Sequence, residues 1–96
     1  MEVIEKKRLE LEGYVAILYE DETKKGPLNN ISACTYDGEM LWNIKDVLKP
    51  VLGNVTDEWY PEMGIVDGNL SVLAFRGIRY ILDGKTGALV KTLIVK

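Results

Sequence analysis

The carboxylates Asp57, Glu58 and Glu62 lie beside the aromatic residues Trp59 and Tyr60, and this stretch is the one best suited to chemistry. Two carboxyl groups held ~5–10 Å apart can act as general acid and base on a glycosidic bond. Aromatic side chains in loops are also typical anchors of protein interfaces. The stretch therefore permits two interpretations. One is a small carbohydrate-binding or hydrolytic enzyme that uses the three acids, and the other is a partner-binding surface made of all five residues.

The other residue types argue against catalysis. The chain has no histidine, which is the commonest general base and a common metal ligand, and it has one cysteine, Cys34. Too few ligands remain for a Cys/His zinc site. Cys34 lies in an apolar run, where a buried structural thiol is expected. We therefore predict no catalytic, metal-binding or cofactor-binding residue and no cofactor, and we favour a binding module over an enzyme.

Two further short stretches have weak functional patterns. Gly84-Lys85-Thr86 matches the end of a phosphate-binding loop, but Arg79 stands where that loop needs its first glycine. Glu20-Asp21-Glu22 is acidic enough to attract a hard cation, but it lacks the alternating ligands of a calcium loop. Both stretches are better interpreted as exposed loops.

Composition and charge indicate an ordinary globular chain of 96 residues, with 47% hydrophobic and 28% charged residues. The formal net charge of −3 disfavours a nucleic-acid or anionic-membrane surface. No apolar segment approaches the ~20 residues of a transmembrane helix, and the first residues lack the apolar core of a signal peptide. We therefore expect one cytoplasmic domain over residues 1–96, with a protein partner or self-association, no nucleic acid and no membrane.

Short runs of β-branched and apolar residues, separated by glycine-bearing turns, predict an all-β and mainly antiparallel fold. Residues 70–96 contain three such runs and predict an antiparallel meander. Asp37-Gly38 predicts a tight hairpin turn in which both residues have positive φ. Residues 45–52 have a helical apolar spacing that Pro50 limits to one or two turns. We expect about eight short strands in two four-stranded meanders, with one short helical turn near 45–52.

An internal repeat relates two halves of the chain, which we place at about residues 2–44 and 63–95. In each half a strand is followed by Asp, Gly and a second apolar strand, at a separation within the ~40–50 residues typical of β-propeller blades. Residues 66–90 resemble the blades of quinoprotein-type β-propellers. The resemblance implies blade-like four-stranded sheets, but it implies no cofactor, because a ring needs at least four blades.

A second resemblance carries no functional information. Residues 29–44, with the sequence N-N-I-S-A-C-T-Y-D-G-E-M-L-W-N-I, are similar to short uncharacterised bacterial proteins. That similarity implies no activity. Whether the two halves form two packed sheets or one coiled sheet stays open.

Apolar residues identify the expected core and the expected partner surface. Core packing is the default expectation for the large apolar residues Trp42, Trp59, Tyr60 and Phe75. Residues 89–96 contain no breaker. As an edge strand they would offer unpaired backbone groups to a partner, although internal pairing with residues 78–82 is favoured. Our leading hypothesis is a rigid β scaffold that presents Trp59-Tyr60 and the loop 20–30 to a protein partner.

Overall fold

The structure is a computed structural model that describes residues 3–21, 31–52, 60–75 and 77–94. Within these ranges the chain is mainly antiparallel β with one short helix, as predicted. The elements are β1 (Val3–Leu11), β2 (Tyr14–Asp21), β3 (Ile31–Cys34), β4 (Met40–Asn43), α1 (Ile44–Leu52), β5 (Glu62–Val66), β6 (Asn69–Leu73), β7 (Ile78–Leu82) and β8 (Leu89–Ile94).

The strands form two four-stranded meanders. The first sheet has the order β1-β2-β3-β4 and the second has the order β5-β6-β7-β8. Every neighbouring pair is antiparallel. The first sheet spans residues 3–43 and the second spans residues 62–94.

One hydrophobic core is shared by both sheets and the helix. Alternate residues of β2, which are Tyr14, Ala16 and Leu18, point into it, as the two-residue period of a strand requires. The buried members of this core are Tyr14, Ala16, Leu18, Ile31, Ala33, Trp42, Ile44, Leu48, Tyr60, Met63, Leu70, Val72, Ala74, Tyr80 and Leu82. The chain therefore forms two sheets packed on a common core rather than one coiled sheet.

Trp42 and the β7–β8 loop join the two sheets. The indole Nε1 of Trp42 donates a buried hydrogen bond to the backbone carbonyl of Gly84 at 2.7 Å. Gly84 also lies so close to Tyr14 that a Cβ on it would fall 1.9 Å from the phenol ring. Gly87, with φ of 77°, leaves similarly little space beside Trp42 and Val47. The Gly84-Lys85-Thr86 stretch is therefore part of the packing between the sheets.

Two hairpin turns differ in geometry. Asp67 and Gly68 have φ of 51° and 80°, which is a type I′ turn between β5 and β6. In the β3–β4 connection only Gly38 has positive φ, at 92°, and its N–H donates to the carbonyl of Thr35 at 3.0 Å. The prediction of positive φ at Asp37 is wrong. The connection is longer than two residues, so Asp37 takes the right-handed position that precedes the glycine.

The helix α1 begins with a reciprocal cap. Asn43 Oδ1 accepts from the Asp46 N–H at 3.0 Å, and Asn43 Nδ2 donates to Asp46 Oδ2 at 2.9 Å. Ile44 and Leu48 are fully buried and attach the helix to the core. The helix has 9 residues and continues past Pro50, so it is slightly longer than the one or two turns that the proline predicts.

Candidate functional site

The structure covers only part of the stretch that the sequence identifies as a site. Asp57, Glu58 and Trp59 lie outside the described residues, as do residues 22–30 of the predicted loop, whereas Glu20 and Asp21 are the last residues of β2. Glu62 is exposed at the first position of β5. An acidic site made of these carboxylates therefore stays a prediction, and so does an interface anchor at Trp59.

The aromatic residues of the described ranges divide into core and surface. Tyr60 is 2% exposed, and its ring packs edge-on against Tyr80 with the centroids 6.5 Å apart. It belongs to the core, as the default expectation for large apolar residues has it, and it is not displayed on the surface as the partner-binding hypothesis requires. Trp42 is buried, as predicted, whereas Phe75 is 66% exposed. The core prediction for Phe75 is wrong because this residue lies in the β6–β7 turn, where Gly77 N–H bonds to Ala74 C=O.

Three of the four sheet edges carry features that hinder pairing with another chain. Five of the nine residues of β1 are charged, and the strand has a bulge between Glu5 and Lys7. β4 has only four residues and continues directly into α1. On β5, the carbonyl of Met63 accepts a hydrogen bond from Lys7 Nζ at 2.9 Å. Charges, bulges and short length are the usual means by which proteins protect an edge.

The fourth edge, β8, has less protection. It is the last strand of the second sheet, and among the described residues no strand lies on its other side. All six of its residues are exposed, and Lys91 carries its only charge. The exposed fractions of Val90 and Ile94 are 57% and 75%, and Leu89 and Leu93 are each 38% exposed. An exposed edge with this apolar content is suited to pairing with another strand.

The hydrogen bonds of the neighbouring hairpins fix the direction of the backbone groups in β7. The carbonyl of Ile78 accepts from the Ala74 N–H at 2.7 Å and therefore points toward β6. Backbone polar groups of successive residues in a strand point to opposite sides, so those of Arg79 and Ile81 point toward β8. The N–H of Asp83 agrees with this alternation, since it donates across the β7–β8 hairpin at 2.8 Å.

The register then fixes the direction in β8. Arg79 lies opposite Leu93, and Ile81 lies opposite Lys91. The N–H and C=O groups of Lys91 and Leu93 consequently point back to β7 and complete the ladder. Those of Thr92 and Ile94 must point outward, to the free edge. The edge therefore presents backbone donors and acceptors together with exposed apolar side chains.

A concavity of about 240 Å³ lies on the face of the first sheet that points away from the core. Val15 and Ile17 form its floor and are only 4% and 5% exposed. The ring of Tyr36 forms a wall, held in place because its hydroxyl donates to the Leu11 carbonyl and accepts from the Gly13 N–H. The concavity thus has an apolar floor and a lining that is partly polar and partly apolar.

Polar side chains that border this concavity include Arg8, Ser32, Cys34 and Thr35. Ser32 is 8% exposed, and no hydrogen bond to its hydroxyl is found in the described part of the chain. The other buried serine, Ser71, does have a partner, because Arg79 donates to its hydroxyl at 2.6 Å. The thiol of Cys34 is half-buried. At the rim, Arg8 pairs with Glu5 at 2.6 Å, and this hydrogen bond lowers the pKa of the Glu5 carboxyl.

Metal and membrane sites find no support in the described ranges. No three Cys, Asp or Glu side chains there come together in a group that could hold a metal ion. Among the same residues, no helix has the length and hydrophobicity that crossing a bilayer requires.

Residues 3–94 match a family model with the description Domain of unknown function (DUF7957). The chain belongs to this family. The match spans both sheets, so the family corresponds to the whole two-sheet fold, and its description assigns no activity. No curated protein and no solved structure was found to match the chain.

Sequence reasoning identified one of the two surfaces in part. The unbroken run at residues 89–96 indicated a strand, and its predicted pairing with residues 78–82 is confirmed. That the same strand ends its sheet depends on strand order, which local pattern does not encode. The concavity on the first sheet was missed. Its signal is that β2 carries apolar residues on both of its faces, including Val15 and Ile17.

Proposed function

We propose that this protein is a non-enzymatic protein-binding module that accepts a strand from a partner chain at the free edge of β8. One observation carries the proposal, namely an edge strand whose outward backbone groups lie among exposed apolar side chains. In strand addition the backbone hydrogen bonds supply affinity, and alternate side chains supply specificity. The backbone groups of Thr92 and Ile94 fit the first role, and the exposed side chains of the same two residues, which lie on one face, fit the second.

The contrast with the other edges supports this choice. β1 is densely charged and bulged, and β4 is short. The Met63 carbonyl of β5 is engaged by Lys7. β8 has one charge in six residues, and its register irregularity falls at Val90, between Lys91 and Leu89. The central part of β8, around Thr92, is therefore regular enough to pair.

Thr92→Pro gives a direct test, because the Thr92 N–H points outward and the β7–β8 ladder does not use it. The proline removes one donor from the free edge, while the matched control Thr92→Val keeps this donor and the side-chain shape. Short random peptides selected against the wild-type protein should bind Thr92→Val and should fail to bind Thr92→Pro. Selected peptides should also shift the NMR amide signals of residues 89–94. Equal binding to Thr92→Pro would refute strand addition at this edge.

The sequence-based alternative places function in a loop. An enzyme or carbohydrate-binding protein that uses Asp57, Glu58 or Glu62 would lose turnover or sugar binding, but not its fold, when these acids are replaced with alanine. A partner surface at Trp59 would be identified in the same way by Trp59→Ala. These variants should leave peptide binding at β8 unchanged, because none of the four residues belongs to that strand.

The concavity on the first sheet favours a second candidate function, the binding of a small apolar molecule that carries a hydroxyl group. The supporting observation is the Ser32 hydroxyl, which borders the concavity and has no protein hydrogen bond in the described part of the chain. A ligand hydroxyl can therefore bond to it without displacing a protein partner. Phenol and cyclohexanol are suitable probes and should shift the amide signals of Ser32 and Cys34. Ser32→Ala should weaken this binding, and an absence of shifts at millimolar probe would refute the site.

A further inference from the structure

We infer that the strand which β8 accepts is the β8 strand of a second copy of this chain, paired antiparallel about a two-fold axis at Thr92. The inference rests on the proposed function, because it names the partner of the same edge. A pair of this kind would join two four-stranded sheets into one sheet of eight strands.

Symmetry restricts the registers that are available. A two-fold axis perpendicular to the joined sheet keeps a given face of one copy on the same side as the equivalent face of the other copy. Side chains that meet across the axis must therefore come from the same face of the strand. Successive residues alternate between the faces, and a residue at the axis must therefore lie opposite its own copy. Three residues in the regular part of β8, Lys91, Thr92 and Leu93, can take that central position.

Thr92 fits the central position best. Its backbone N–H and C=O point outward, so two copies exchange both hydrogen bonds at the axis. The Thr92 side chains then lie beside each other, which is a favourable cross-strand pair. Lys91 comes opposite Leu93 of the other copy, and Ile94 comes beside Val90, which is the residue at the register irregularity of β8. The two most exposed apolar side chains of the strand thereby cover each other.

Registers centred on Lys91 or Leu93 give a less favourable strand pair. A register centred on Lys91 places two lysine side chains directly opposite each other, and like charges in this position are destabilising. A register centred on Leu93 leaves Val90 and Lys91 without partners inside β8, so it covers less of the exposed apolar strand. Thr92 is therefore the centre that pairs the longest part of the strand without opposing two charges.

The expected dimer is weak. It is held by a short strand pair, and interfaces of this size are typical of transient association. We expect a dissociation constant on the order of 1–100 μM. The equilibrium between monomer and dimer should therefore lie within the concentration range of sedimentation and light-scattering experiments.

Cysteine cross-linking of the full chain tests which residues of the two β8 strands lie opposite each other. The natural thiol is first removed by Cys34→Ser, and one new cysteine is then placed on β8. Opposed strand residues have Cα atoms ~4.5–5.5 Å apart, within disulfide range. Thr92→Cys should form a disulfide-linked dimer by itself. Lys91→Cys alone and Leu93→Cys alone should not, whereas an equal mixture of these two proteins should cross-link.

Sedimentation of the uncross-linked wild type, Thr92→Val and Thr92→Pro completes the test. The expected result is dimerisation of the wild type and Thr92→Val at 10–100 μM, and at least a tenfold weaker constant for Thr92→Pro. Cross-linking of Lys91→Cys with itself, or a dimer that Thr92→Pro leaves unchanged, would overturn the inference. A monomer at 1 mM would also overturn it. If peptides still bind that monomer in a Thr92→Pro-sensitive way, strand addition stands and only the identity of the partner is wrong. If no such peptide binding exists, both proposals fail.

Discussion

Trp42→Ala is the substitution that tests the packing of the two sheets most severely. The indole is 6% exposed, and it contacts the β7–β8 loop beside Gly87 as well as bonding to the Gly84 carbonyl. Truncation of a buried tryptophan costs about 3–5 kcal/mol. The Gly84 carbonyl also loses its hydrogen-bond donor in this variant, which adds to the cost where water cannot reach the carbonyl. Because a chain of this length has a total stability of roughly 5–14 kcal/mol, the variant should lose about a fifth or more of it.

Trp42→Phe separates the hydrogen bond from the packing. It retains most of the apolar volume but has no N–H to donate to Gly84, so a smaller loss of about 1–3 kcal/mol is expected. Urea unfolding followed by far-ultraviolet circular dichroism measures both variants, and it avoids a fluorescence signal that depends on the mutated residue. Val51→Ala, at a side chain that is 50% exposed, is the control and should change stability by less than about 0.5 kcal/mol.

The result for Trp42 can contradict the structure in two ways. A loss below about 1 kcal/mol for Trp42→Ala would mean that the indole is not part of the shared core. A Trp42→Phe variant as stable as the wild type would mean that the bond to Gly84 contributes nothing. An altered slope of unfolding free energy against urea would indicate a change in the denatured state rather than in this contact.

Three further predictions concern the same loop. The Tyr14 hydroxyl is buried without a hydrogen-bond partner among the described residues, so Tyr14→Phe should keep or raise the free energy of unfolding. Burial and the nearby Asp83 raise the pKa of Tyr14. The contribution of the neutral phenol to the free energy of unfolding is therefore fully present below about pH 10 and is lost as pH rises further. Chemical unfolding from pH 9 to 11 should show a smaller fall in the free energy of unfolding for Tyr14→Phe than for the wild type. Gly84→Ala should cost about 1–3 kcal/mol in urea unfolding, because the added Cβ would lie 1.9 Å from the Tyr14 ring; an unchanged midpoint would contradict the packing. Hydrogen bonds from the backbone N–H groups of Thr86 and Lys85 lower the pKa of Asp83. The contribution of this carboxylate to the free energy of unfolding is therefore present near neutral pH and is lost as pH falls through the lowered pKa. Asp83→Ala should lose about 0.5–1.5 kcal/mol at pH 7, and its difference from the wild type should shrink in acid.

The fold was largely predictable because its signals are local. Apolar runs of strand length, bounded by glycine-bearing turns, indicated the meanders. The apolar spacing of residues 45–52 indicated α1, although the helix continues past Pro50. The errors arise where local chemistry fits two geometries. Asp-Gly fits both a type I′ turn and a longer connection, and only the register of β3 and β4 decides between them at Asp37.

The candidate site was predictable only in part, because it depends on long-range arrangement. Tyr60 is a residue type that often anchors interfaces, but it lies in the core because the second sheet brings Tyr80 against it. The exposure of β8 follows from strand order, and the direction of the Thr92 backbone groups follows from hydrogen bonds elsewhere in the sheet. Gly84-Lys85-Thr86 resembles a binding loop in sequence, whereas its glycines serve the packing against Tyr14 and Trp42.

Amide hydrogen exchange along β8, measured by NMR at low and high protein concentration, tests strand addition most directly. In dilute protein the Lys91 and Leu93 amides should be protected by β7, while the Thr92 and Ile94 amides should exchange freely. At high concentration, or with a peptide selected against this edge, the Thr92 and Ile94 amides should become protected as well. Exchange at these two positions that does not change under either condition would contradict the account.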